Sequence, residues 1–99
     1  MMTEAELKAA LDRSPSPDRV TPDYIESRIS NVEFHRPTGT LTLCIVTLDN
    51  GFTVTGESAC ASPENFNKEI GQSIAEKNAR EKLWPLFGFL LKEALHLRG

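Results

Sequence analysis

The sequence predicts an α+β fold: a three-stranded antiparallel meander covered on one face by a long C-terminal helix, in the order α-α-β-β-β-α-α. Two observations predict it. Three β-rich runs in the middle of the chain are separated by turn residues, one of them the Asn50-Gly51 pair. After them, apolar residues recur at helical spacing. Alternation of period two marks strands, and a repeat of three to four marks helices.

The elements follow in order. Residues 1–13 predict a short helix, with Thr3 as its cap, Glu4 and Glu6 in its first turn, and Leu7 and Leu11 on its apolar edge. Ser14-Pro15-Ser16-Pro17-Asp18 breaks it and is expected to be a linker. We therefore divide the chain into residues 1–20, a helix and linker, and residues 21–99, one domain. Thr21-Pro22-Asp23 opens a second helix that runs to about Ile29, because proline fits the first helical position behind a threonine cap.

The strands are expected at Val32–Arg36, Thr40–Asp49 and Phe52–Ser58. A two-residue loop at Asn50-Gly51 pairs Ile45 with Gly56. A four-residue loop at Pro37–Thr40 pairs Phe34 with Leu43. These registers collect Val32, Phe34, Leu41, Leu43, Ile45, Phe52 and Val54 on one face, and Glu33, His35, Thr42, Cys44, Val46, Thr53, Thr55 and Glu57 on the other. The first face is expected to be buried and the second open. The covering helix is expected from Ser62-Pro63-Glu64, with Phe66, Ile70, Ile74, Ala75, Ala79 and Leu83 inward. Pro85 must end or kink it near Trp84, and residues 86–98 predict one more helix, weakened by Gly88.

Composition bounds the function. A chain of 99 residues is one domain with a thin core, hiding about 60–65% of its unfolded surface. A net charge of −3 argues against a general polyanion binder. No apolar run is long enough to span a membrane, and the acidic N-terminus lacks signal-peptide order. Two cysteines without an export signal suggest reduced thiols in a cytoplasm.

No cluster carries chemistry. Glu33, Cys44 and Glu57 fall in one row under these registers, but carboxylates on an open face lack the burial that raises a catalytic pKa. Cys44, Cys60, His35 and His96 fit no metal spacing. The glycines form no phosphate loop, and Gly56 suggests a close approach of the covering helix to the backbone. An anion at the Ser62-Pro63-Glu64 helix start is disfavoured because Glu64 already supplies charge there. The helix order is similar to that of double-stranded-RNA-binding domains, yet residues 62–99 carry six basic and five acidic side chains, too few in surplus to grip phosphates.

Several strings in the middle and end of the chain carry a resemblance: Thr42-Leu43-Cys44, Leu48-Asp49-Asn50-Gly51-Phe52, Gly56-Glu57-Ser58-Ala59-Cys60, Pro63-Glu64-Asn65-Phe66, Ile70-Gly71 and Trp84-Pro85-Leu86. In this order they resemble a family of small tailed-phage and prophage proteins, founded on gene product 49 of a lytic coliphage and gene product 66 of a temperate Shigella phage. The resemblance covers roughly residues 21–95. It implies a phage or prophage origin and action inside the host cell, with no catalytic residue attached.

The expected function is therefore a non-enzymatic accessory protein that binds a host protein or small signalling molecule in the host cytoplasm, without cofactor or metal. A nucleic-acid-binding module is the alternative. The expected contacts are Glu33, His35, Thr53, Thr55 and Glu57 on the open sheet face, with Trp84 and Phe87 from the apolar C-terminal run. That run brings Trp84, Phe87, Phe89, Leu90 and Leu91 within eight residues, a surplus that suggests a homo-oligomer.

Overall fold

The computed structural model describes residues 3–6 and 19–98. Helix α1 spans Pro22–Arg28, strands β1, β2 and β3 span Ile29–His35, Leu41–Leu48 and Thr53–Ala59, and helices α2 and α3 span Lys68–Glu81 and Leu83–Arg98. The sheet order is β1-β2-β3, antiparallel throughout. The α+β meander beneath a C-terminal helix is the architecture that the periodicities predict.

Local chemistry sets the ends of the elements. Thr3 Oγ1 accepts from the Glu6 amide at 3.1 Å while Glu6 Oε1 accepts from the Thr3 amide at 3.4 Å, a capping box on the helical residues 4–6. Leu7, Leu11 and the 14–18 linker lie outside the described residues. Thr21 caps α1 by accepting from the Tyr24 amide, with Pro22 opening the helix. The helix expected from Ser62 starts later: Pro63–Asn65 forms one 3-10 turn, and α2 begins behind Asn67, whose side chain accepts from the Ile70 amide. The chain breaks at Lys82, and Pro85 lies in the first turn of α3, where little intrahelical bonding is lost.

The register departs from expectation at both turns. Cys44 pairs with Gly56 and with Phe34, whereas the expected pairs were Ile45 with Gly56 and Leu43 with Phe34. The reason at the second turn is its length. Asp49, Asn50 and Gly51 form a three-residue loop: the Gly51 amide bonds the Leu48 carbonyl at 2.9 Å, and only Gly51 takes a positive φ, at 89°. That is a type I turn closed by a left-handed glycine, which shifts the pairing by one residue relative to a two-residue loop. The first connection is likewise one residue longer than expected, so that Phe34 meets Cys44. Consequently β1 and β3 keep their expected faces and β2 turns over.

Thr42, Cys44, Val46 and Leu48 therefore point into the core, and Leu41, Leu43, Ile45 and Thr47 alternate with them on the other side, half-buried. Helix α2 lies across β2 and β3 on a stripe of Gly71, Ala75 and Ala79, all buried, whereas Ile70 and Ile74 face outward. A Cβ on Gly56 would run into the Ala75 carbonyl and the Ala79 amide, with Ala79 Cα 2.9 Å away. The helix backbone thus rests directly on β3, the close approach that Gly56 predicts. Ile25, Leu83 and Phe87 complete the core. Two layers make a slab 54 Å long and 17 Å thick.

Candidate functional site

The face of the sheet opposite α2 is built of three rows. Asn31, Thr47 and Thr53 form one, Glu33, Ile45 and Thr55 the next, and His35, Leu43 and Glu57 the third. Side chains two apart along a strand share a face, so Leu41, Leu43 and Ile45 make an apolar strip down the centre. Polar groups rim it on both sides.

The rim on β1 is held in place. His35 Nε2 lies 2.7 Å from Glu33 Oε1, and Asn31 Nδ2 donates to Glu33 Oε2 at 3.0 Å. On β3, Thr53 and Glu57 are exposed and Thr55 is half-buried. Of the expected contact residues, Glu33, His35, Thr53, Thr55 and Glu57 thus share this face. The expected row of Glu33, Cys44 and Glu57 does not exist: Cys44 lies beneath α2 with no exposed surface, and the two glutamates occupy different rows. Burial raises the Cys44 thiol pKa, which keeps it protonated. Leu41, Leu43 and Ile45 were expected in the core. The signal that would have placed them outward was the asymmetry of sizes, since a helix resting on Gly56 needs small neighbours on the adjacent strand.

Trp84 and Phe87 part company. Phe87 is a core residue: its ring meets Tyr24 edge-on at 5.8 Å, and the Arg28 guanidinium lies 5.5 Å from its centroid. It therefore offers no contact surface. Arg28 is itself fixed by Asp49, with Nε 2.9 Å from both carboxylate oxygens, and this pairing raises its pKa. Trp84 remains 38% exposed, and beyond it Phe89, Leu90 and Leu97 are at least half exposed on α3. α3 packs on α1 and the end of α2 and leaves the open sheet face uncovered.

Two of the basic side chains along α2 are paired internally. Arg80 bonds Glu26 at 2.5 Å and Glu76 at 2.7 Å, and these partners, Glu26 foremost, raise its pKa. Lys77 pairs with Glu81 at 3.7 Å. Among the described residues no three His, Cys, Asp or Glu side chains group to hold a metal ion. No helix among them is long and apolar enough to cross a membrane.

The model of the Phage protein (N4 Gp49/phage Sf6 gene 66) family matches residues 20–95, most of the chain. The chain belongs to this family. The matched span runs from just before α1 through most of α3, so it takes in the whole sheet, its covering helix and the open face. No curated protein and no solved structure matches the chain.

Proposed function

We propose that this member of the phage family is a non-enzymatic binding protein that holds a host protein in the host cytoplasm, with the open face of the sheet as its contact surface. The observation that carries the reading is the apolar strip of Leu41, Leu43 and Ile45, rimmed by Glu33 and His35 on one side and by Thr53, Thr55 and Glu57 on the other. An apolar centre with a polar rim is the anatomy of a protein contact. Small ligands need concave sites, whereas an extended sheet face suits a macromolecule. A protein partner is favoured over nucleic acid because Arg80 and Lys77 already have carboxylate partners. The exposed Trp84, Phe89, Leu90 and Leu97 of α3 favour a homo-oligomer joined through that helix.

The test is affinity capture from host lysate with the wild-type chain and with a Leu43→Asp/Ile45→Asp variant, after circular dichroism has shown that both are folded. A partner retained by the first and lost by the second supports the reading. Equal capture by both, or none by either, overturns it. Sedimentation of a Phe89→Asp/Leu97→Asp variant tests the oligomer separately, since dissociation to monomers is expected.

A further inference from the structure

We propose that the cleft between the β1–β2 connection and the start of α2 is a binding site for a small phosphate monoester. The cleft measures about 340 Å³ and is lined by Phe34, His35, Arg36, Thr42, Phe66, Lys68 and Gln72. No carboxylate lines it, in a chain where acids outnumber bases 14 to 11. That is a local reversal of the molecule's sign.

One cationic group, Arg36, is set before any ligand arrives. The Arg36 guanidinium lies 3.5 Å from the Phe66 ring centroid, and its Nη2 donates to the Gly39 carbonyl at 2.6 Å. Stacking fixes its plane and the hydrogen bond fixes its rotation. A guanidinium has five N–H donors, so most remain for a ligand. A fixed fork loses little freedom on binding. Lys68 opposes it as the first residue of α2 and has no carboxylate partner among the described residues. The positive end of the α2 dipole therefore borders the cleft. Gln72, one turn further along α2, adds an amide. His35, which also lines the cleft, is engaged by Glu33 on the open face at 2.7 Å.

This donor set exceeds what a carboxylate can use and matches the three terminal oxygens of a phosphate monoester. The volume leaves room for more than the phosphate, and Phe34 and Phe66 supply aromatic walls for a ring. The two cations line one cleft rather than a track, which favours a small molecule over a nucleic-acid strand.

The test titrates the isotopically labelled full chain with adenosine monophosphate at low salt, reading backbone amide shifts. Saturable shifts at Arg36, Phe66, Lys68 and Glu69 are expected. Arg36→Ala and Lys68→Gln should each weaken binding at least tenfold, with amide positions elsewhere unchanged. Lys92→Gln on α3 should leave it unaltered. Sodium chloride at matched ionic strength and a single-stranded oligonucleotide complete the experiment. The proposal is overturned by unsaturable shifts, by the same shifts with chloride, by undiminished binding in both cleft variants, or by binding of the oligonucleotide alone.

Discussion

The two faces of β2 hold almost the same kind of residue and have opposite fates. Thr42, Cys44, Val46 and Leu48 are buried, while Leu41, Leu43 and Ile45 are the larger set and lie on the uncovered side. Hydrophobicity alone would choose the reverse. The difference lies in the helix that covers one face. α2 rests its Gly71, Ala75 and Ala79 stripe on the sheet so closely that Gly56 has no room for a side chain. A covering element at that distance selects small side chains beneath it, because interiors are packed to crystal-like density. The bulkier aliphatics are left for another surface, which is why the open face reads as a place of contact.

The largest way to break this comparison is Gly56→Ala. Its Cβ meets helix backbone, which cannot rotate away, so the expected loss is at or above the top of the ~1–3 kcal/mol range for overpacking. Urea denaturation checks it, and an unchanged midpoint would mean that α2 does not sit on β3. Next comes Ala79→Leu, fully buried on the same stripe, with an expected loss of about 1–3 kcal/mol. A matched pair sharpens the register. Val46→Ala should cost more than Ile45→Ala although isoleucine loses more atoms, because Val46 is fully buried and Ile45 keeps part of its surface in solvent. The opposite order in thermal unfolding would return the sheet to the slipped register.

The smallest effect distinguishes the faces without changing stability. A thiol reagent at neutral pH should label Cys60, which is half-buried, and spare Cys44 in the folded chain. Burial both blocks access to Cys44 and raises its pKa, so its reactive thiolate is scarce until the pH rises well above neutral. Equal labelling of the two thiols by intact mass would place Cys44 on the open face.

Much of the architecture was legible in the chain. Thr21-Pro22 announced α1, Asn50-Gly51 marked a hairpin, and Gly56 signalled the helix contact. Five of the expected contact residues do share the open face, because β1 and β3 kept their orientation. Phe87 was not separable from Trp84 by composition, since what buries it is the Tyr24 ring and the Arg28 guanidinium brought from α1. The Arg36, Phe66 and Lys68 cleft joins two stretches that are distant in the chain, and no spacing announces it.

The elements and their order are written locally in the chain, because caps, turn residues and apolar periodicity act within a few positions of one another. Which side of β2 faces the helix is a property of the folded molecule. That choice depends on one extra residue in the 49–51 loop and on how near α2 can come, and both are settled by packing between segments that are distant in the chain.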